Sequence, residues 1–497
     1  MYLLGYDLGT SSIKVALVSA ETGNIIASTQ SPETEMAIQS PQPDWAEQDP
    51  DLWWKHVVLA TRTIIRQIPD AATQIEAIGF SYQMHGLVMV DAAGNVIRPS
   101  IIWCDSRAVE IGRRAAATLP AEETFSSLLN MPGNFTASKL KWVKEAEPEA
   151  YQRAHKIMLP GDYIAYRMTG TMGTTASGLS EAILWDFQAE RPSSSLLQYY
   201  GLAADLIPEI LPTFGLQGTI SKSAAQQLGL SEGIPVTYRA GDQPNNALCL
   251  NVLQPGEVAA TGGTSGVVYG VTDQLKGDPL QRVNSFAHVT HTRDAPRVGV
   301  LLCINGAGSM YAWLRAQIAS AGISYPEMEK MAKTVSIGSD GVVVLPFGNG
   351  AERLLRHEPV GAHIMGINFA RHTKAHLFRA GLEGIAFAFA YGMEVMSELG
   401  IDLSAFRVGN DNLFQSEIFS TTLSTLTNTE IKVLNTTGAV GAAIAAGTHT
   451  RGEAFRNDAL SDAKPVKIFR PEIAAKPESL KQYTHWKKML AGIRNIQ

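Results

Sequence analysis

The chain's 497 residues are too many for one ordinary domain and enough for two, each able to bury its own core. With 45% hydrophobic and 18% charged residues it has the composition of a soluble globular protein, and a net charge of -6 excludes the broad basic face that nucleic acid or an anionic membrane demands. Cys104, Cys249 and Cys303 form neither a CxxC pair nor a disulfide framework, and no leader or membrane-helix pattern is present, so a reduced, cytoplasmic setting is expected.

In chain order, Tyr2–Asp7, Ile13–Ser19 and Ile25–Ser28 read as strands, joined by a turn of small hydroxyl residues and by the hairpin signal Glu21-Thr22-Gly23-Asn24. A helix follows, with Asp49 as N-cap, Pro50 in its first turn and apolar residues recurring through Leu52, Trp53, Val57, Ala60 and Ile64. Ile75–Ser81 reads as a strand, and a hairpin at Ala92-Ala93-Gly94-Asn95 leads into "IIWCDSR". Near residue 235 the pattern restarts: "IPVTYRAGD" is a strand ending on Asp242, and "GEVAATGGTSGVVYGV" is strand, turn, strand. "VGVLLCINGAGSMYAWL" is strand, Gly-rich turn, helix, and Ala375–Leu399 is a long helix rich in Ala, Gly and Phe. Alternating strands and helices in both halves give an α/β class, with lobes expected at 1–250 and 251–497 and the last helices able to pack back on the first lobe.

Two turns repeat one chemistry. "DLGTSS" (7–12) and "TGGTSG" (261–266) place Gly9, Thr10, Ser11 and Ser12, and Gly263, Thr264 and Ser265, where backbone N–H groups and hydroxyls converge on one concave spot, as phosphate nests do. Either turn alone is an ordinary hairpin; one opening each half suggests a triphosphate held from both sides. Asp7 then suits Mg2+, directly or through water. Lys14 reads as a surface charge. No GxxxxGK[ST] is present, and the "GAGSMY" turn with Gly306 and Gly308 only half-matches a dinucleotide turn.

At a strand end, Gln83, Met84 and His85 group polar and apolar chemistry suited to a small polyol, although a lone His is also an ordinary half-buried loop residue. "WCDSRA" adds Trp103, Asp105 and Arg107, the last two equally suited to an ion pair. Asp242, followed by Gln243, ends another strand and is either a helix N-cap or a general base. His288 and His291 lack an obvious third metal ligand.

Together "GYDLGTSS", "WAEQDP", "QMHGLV", "FTASKLKW", "AGDQPNNA", "GTSG" and "LEGIAFAFAYGM" resemble the FGGY carbohydrate kinases in order and spacing, from residue 2 to about 447. "QMHGLV" is similar to the xylulokinase branch. The resemblance implies a two-lobed actin/hexokinase-type ATPase fold of duplicated ribonuclease-H-like domains around a cleft, with ATP as donor and Mg2+. It implies that Asp242 is the catalytic base, Met84 and His85 the sugar-contacting pair, Asp7 the acid near metal and phosphates, and Thr10–Ser12 with Thr264-Ser265 the phosphate turns. Small sugar and ATP are the implied partners, with a homodimer as the expected assembly. D-xylulose is the expected substrate, with other ketoses or polyols as the alternative; an actin-like ATPase or a non-catalytic sugar binder fits less well. One departure stands out. The family's usual glycine run reads "VGNDNL" here, leaving Gly409 and Asn410 to approach adenosine, with Asp411 beside them.

Overall fold

The computed structural model describes residues 1–410, 412–461 and 464–495. β1 (Tyr2–Leu8), β2 (Ile13–Ser19) and β3 (Ile25–Ser31) form the expected antiparallel run. The β2–β3 link turns through Gly23 at φ 71°, a conformation that a side chain would strain. α1 (Pro50–Gln67) starts where the sequence places it, with the Asp49 carboxylate accepting from the Asp51 N–H, and it buries Trp53, Trp54, Val57 and Ile64.

β4 (Ile75–Tyr82) lies parallel to β1. The chain then inserts α2 (Thr136–Ala146) and α3 (Ala176–Glu181) before β5 (Val236–Gly241) pairs parallel to β4. The sheet order is β3-β2-β1-β4-β5. α4 (Asp242–Cys249) follows at once.

The second half repeats this plan. β6 (Glu257–Gly262), β7 (Gly266–Thr272), β8 (Asn284–Ala287) and β9 (Val298–Ile304) are antiparallel neighbours. After α5 (Ala307–Gln317) and the largely buried α6 (Lys374–Glu398), β10 (Ala405–Gly409) and β11 (Ile431–Leu434) extend the sheet in parallel. α7 (Gly438–Ser461) and the edge strand β12 (Lys467–Phe469) complete it, in the order β8-β9-β7-β6-β10-β11-β12. Its inner run β9-β7-β6-β10-β11 has the directions and connections of β3-β2-β1-β4-β5, so the molecule is a duplicated α/β fold.

The halves exchange helices. α4 leaves the first sheet and buries Ala247 and Cys249 against Ala259, Tyr269, Val271 and Leu434 of the second. α7 leaves the second sheet and lays Ala439, Ala442, Ala443 and Ala446 on the first, beside Leu3, Ala16, Ala77 and Tyr238. Two glycines permit this approach: a Cβ on Gly5 would lie 1.9 Å from the Ala439 carbonyl oxygen, and one on Gly79 would lie 2.2 Å from that of Ala442. The final helix, Lys476–Arg494, stays on the second lobe, where the Trp486 indole N–H donates to the Val344 carbonyl at 2.8 Å. No helix among the described residues is long and apolar enough to cross a membrane.

Because the Gly5 contact is with backbone, a methyl there must displace α7 as a body. Gly5→Ala should lower unfolding free energy by about 1–3 kcal/mol, the usual cost of overpacking. Urea titration checks this; an unchanged midpoint would mean that α7 does not bear on β1 as closely as described.

Candidate active site

The first hydroxyl turn is closed by its own backbone, with the Gly9 N–H donating to the Ser12 carbonyl at 3.1 Å and the Met36 N–H to the Ser11 carbonyl at 2.7 Å. Ser11 and Lys14 are exposed, whereas Ser12 is buried. Asp7, near the end of β1, accepts from the Ser81 hydroxyl at 2.8 Å across the parallel pairing with β4. Its other flank is α7: a Cβ on Gly438, the first residue of that helix, would lie 2.8 Å from the Asp7 carboxyl carbon. The carboxylate therefore faces a helix N-terminus, where partial positive charge favours it.

Thr10 connects this turn to the next strand end. Its hydroxyl meets the Gln83 side-chain oxygen at 3.2 Å and the Trp103 indole N–H at 2.9 Å, and its carbonyl accepts from Gln48 at 2.7 Å. Gln83 also donates to Gln48 at 3.1 Å, and Trp53 holds the same Gln48 oxygen at 3.0 Å. Gln48 belongs to the "WAEQDP" stretch, so that stretch braces the first hydroxyl turn. Trp103 remains 53% exposed, leaving an aromatic face open beside Thr10.

Met84 is buried against the end of β5, where a Cβ on Gly241 would lie 2.6 Å from its Cγ. His85 adopts φ 61°, the left-handed region that a non-glycine residue occupies only when its surroundings enforce it. Its ring lies between Phe135 at 4.8 Å and Phe286 of β8 at 5.4 Å, so both lobes touch it. Burial, with the Lys139 and Arg353 cations adding to it, lowers its pKa to about 3 and keeps the imidazole neutral.

Asp242 is the first residue of α4; the cap position is Gly241, and no side-chain cap bond forms. Asp242 thus stands one position inside the helix, with glycine where a capping side chain would be. Burial, reinforced by the Asp7 charge and opposed by hydrogen bonds from Gln243, raises Asp242 to about 7. Asp7, Asp242, Gln83, Met84, His85 and Trp103 thus surround the C-terminal ends of β1, β4 and β5, where open α/β sheets hold ligands.

The second turn belongs to a separate cluster. The Ser309 N–H donates to the Thr264 carbonyl at 2.9 Å, and a Cβ on Gly308 would lie 2.0 Å from the Gly263 carbonyl oxygen. Only glycine at 308 lets the "GAG" turn press on this hairpin. Gly306 is equally confined, 1.5 Å from the Pro346 oxygen by the same measure. Its N–H and that of Asn305 each donate to Glu352 at 3.1 Å, and burial raises Glu352 to about 7. Gly409 ends β10, the Asn410 N–H donates to Leu434 at 3.0 Å, and Asp411 lies outside the described residues. Among the described residues no hydrogen bond joins the second turn to the first.

Asp105 and Arg107 form a fully buried ion pair at 2.7 Å, with Arg107 also on Glu47 at 2.7 Å and stacked 3.9 Å over Trp45. They brace the loop rather than face the pocket. His288 meets the Tyr269 hydroxyl at 3.1 Å and His291 meets Glu190 at 3.4 Å. Among the described residues no cluster of three metal-ligating side chains exists. Asp7 alone fits Mg2+ of the kind that keeps most of its shell as water and nucleotide phosphate. A surface hollow lined by Glu21, Glu76, Arg451 and Asp458 beside the β2–β3 hairpin contains none of the candidate residues.

Two residues escape sequence reasoning. Lys139, fully buried in α2, donates to the His85 carbonyl at 2.7 Å and the Ile102 carbonyl at 2.9 Å. Glu181, 2% exposed at the end of α3, has no hydrogen-bond partner within 3.5 Å of either carboxyl oxygen among the described residues, the Tyr82 hydroxyl being the polar neighbour that does most to favour its charge. A Cβ on Gly241 would lie 2.5 Å from its Oε2, and burial next to the Asp242 charge raises it well above the usual carboxylate range. In the sequence Glu181 is a lone charge within the apolar run "LSEAIL", and Lys139 stands beside Lys141 in the "FTASKLKW" stretch with nothing to single it out.

Residues 2–249 match the N-terminal domain of the FGGY family of carbohydrate kinases, and residues 258–449 match its C-terminal domain. The xylulose kinase of Escherichia coli K12 is 29% identical over 404 residues, covering 81% of this chain and 80% of that one. That of Lactococcus lactis is 30% identical over 401 residues, covering 80% and 77%. Among solved structures, xylulose kinase from Rhodospirillum rubrum superposes with TM-score 0.90 at 23% identity, over 100% of this chain and 99% of that one. Plasmodium falciparum glycerol kinase with ADP does so with TM-score 0.87 at 20% identity, over 99% and 98%. With its two halves matched in order and its sheets duplicated as described, the chain belongs to the FGGY family of carbohydrate kinases and is an ATP-dependent sugar kinase.

Proposed function

We propose that the chain phosphorylates D-xylulose to D-xylulose 5-phosphate, with Asp242 as general base. The observation that carries the reading is the meeting of Asp7 and Asp242 at the ends of β1 and β5, with Asp242 poised near neutrality. A base with a pKa near the working pH is ionised often enough to act and basic enough to accept a proton. In the reaction the sugar oxygen attacks the γ-phosphorus in line while the bond to the ADP oxygen breaks. The hydroxyl proton passes to Asp242. Since the transition state is loose, the proton moves late, and Asp242 first orients the hydroxyl. Mg2+, when bound with the nucleotide, neutralises phosphate charge beside Asp7. The turns at Gly9–Ser12 and Gly263–Ser265, with Gly306, Gly308, Gly409 and Asn410, are assigned to the nucleotide, and Gln83, Met84, His85, Trp103 and Gln243 to the sugar.

The choice of D-xylulose rests on Gln83-Met84-His85 and on the xylulose kinases among the relatives. Gluconate and glycerol kinases also stand among the structural neighbours, at 20% identity, a likeness that speaks for the fold and not for the substrate. An ADP-coupled screen of pentuloses, hexuloses, gluconate and glycerol should give D-xylulose the highest kcat/KM. A preference of more than about tenfold for another acceptor, roughly 1.4 kcal/mol of transition-state discrimination, removes the substrate assignment and leaves the family.

Asp242→Asn keeps size and cannot accept the proton. It should fold with normal thermal stability and lose roughly 10²–10⁴-fold in kcat. Near-normal turnover in a stable variant would sink the catalytic assignment.

The wild-type pH profile is a separate check. The carboxylate is the active form, so kcat/KM should fall about tenfold per pH unit below the Asp242 value of about 7 and level off above it. A profile flat from pH 5 to 8 contradicts the assignment.

A further inference from the structure

His85 carries more information than its place beside the pocket. Its Nδ1 lies 2.9 Å from the Glu181 backbone carbonyl, which can only accept, so Nδ1 bears the hydrogen. A neutral imidazole then presents Nε2 as a bare acceptor. Among the described residues Nε2 has no protein hydrogen-bond partner, so its lone pair is left for a ligand. The groups facing the ring are Lys139 from α2, Arg353 from the second lobe, and the Phe135 and Phe286 rings. The Glu181 carboxyl is turned away, toward Gly241.

The backbone beneath the ring is held from below. Residue 85 sits at φ 61°, and the buried Lys139 amino group, whose pKa burial lowers to about 7, donates to its carbonyl at 2.7 Å while anchoring on Ile102, 2.9 Å away on the neighbouring segment. Without Lys139 the His85 carbonyl loses its donor, whereas the Ile102 carbonyl keeps the Asp105 N–H at 3.2 Å; from α2 the Thr136 hydroxyl also reaches this turn, 3.4 Å from the Gly86 carbonyl rather than on residue 85 itself.

We propose that Lys139 is a positioning residue for sugar recognition: by clamping the His85 carbonyl it holds the left-handed backbone that presents Nε2 as a fixed acceptor for one sugar hydroxyl. This rests on the reading that His85 lines the sugar pocket. It makes the site selective for an O–H at that position, because a carbonyl or ether oxygen has no hydrogen to offer.

The test uses the full-length enzyme with D-xylulose and ATP. Lys139→Met, similar in length and without donors, should raise the sugar KM about 10–100-fold and move the ATP KM less than about twofold. The same substitution made in a His85→Gly background, where no strained conformation needs holding, should add less than about threefold. Equal losses in both backgrounds would show a merely structural lysine and overturn the proposal. So would a folded Lys139→Met enzyme with an unchanged sugar KM. Should that variant not fold, ¹⁵N spectra of the wild-type histidines decide, with His85 identified by its loss in His85→Asn. A single Nδ1–H tautomer supports the clamp; an Nε2–H form or an averaged pair overturns it. His85→Ala separates the underlying reading: an unchanged sugar KM there removes His85 from the pocket, whereas a raised KM beside a silent Lys139→Met defeats the lysine alone.

Discussion

The seating of α7 on the first sheet is the constraint on which the site depends. A helix that leaves the second lobe can lie on β1 and β4 only because Gly5 and Gly79 have no Cβ and because Ala439, Ala442, Ala443 and Ala446 face them. This close approach fixes more than the lobe contact. It brings Gly438 against the Asp7 carboxylate and lets the Asn245 amide reach the Gly438 carbonyl at 2.9 Å. Asn245 is on α4, which begins with Asp242. One helix seat therefore sets the relative positions of both acids, and a shift of α7 along the sheet moves them together.

The acids brought together have little cationic relief. Ser81 and the start of α7 support Asp7, and hydrogen bonds from Gln243 support Asp242, but Asp242 remains raised and Glu181 behind it more so. The sign of the effect on stability follows. A carboxyl that is more basic folded than unfolded favours the fold while it is protonated. Its contribution declines as pH rises from the ordinary carboxylate range, about 4, through the folded value of about 7. At neutral pH the empty enzyme thus carries a strained site, the pattern expected where groups are arranged for chemistry instead of stability. The buried Asp105–Arg107 pair is different: Arg107 meets Asp105 with two nitrogens, stacks on Trp45 and lies within ion-pair distance of Glu47, so each charge has an opposite partner within the loop.

The elements and most candidate positions were legible because their signals are local. Gly9 and the hydroxyls of Thr10–Ser12 mark a turn, Asp49-Pro50 marks a helix start, and Asp242 follows an apolar run ending in glycine. The α/β class and the duplication follow from the same turns, and the sheets repeat accordingly. What stayed hidden is contact across sequence distance. Lys139 acts on a carbonyl of residue 85, and the Glu181 carbonyl acts on the same histidine's ring. No spacing rule joins α2 or α3 to the end of β4. The Asp105–Arg107 alternatives could not be decided either, because the deciding partners, Glu47 and Trp45, are contributed by a stretch some sixty residues earlier.

This division also bears on how selectivity can differ between kinases of one fold. In the proposed reading the sheets, the exchanged helices and the two turns serve the nucleotide and the phosphoryl group, which every sugar kinase shares. The distinguishing chemistry is confined to the end of β4 and the side chains around it. There His85 is fixed by two backbone-directed hydrogen bonds, and its ring touches Phe135 from one lobe and Phe286 from the other. A ring held from both lobes reports on their separation as well as on the sugar: moving β8 away from α2 would withdraw one wall of its slot. If His85 lines the sugar pocket as proposed, sugar recognition and the approach of the second lobe would meet at a single imidazole, without any change in the sheets that carry Asp7 and Asp242.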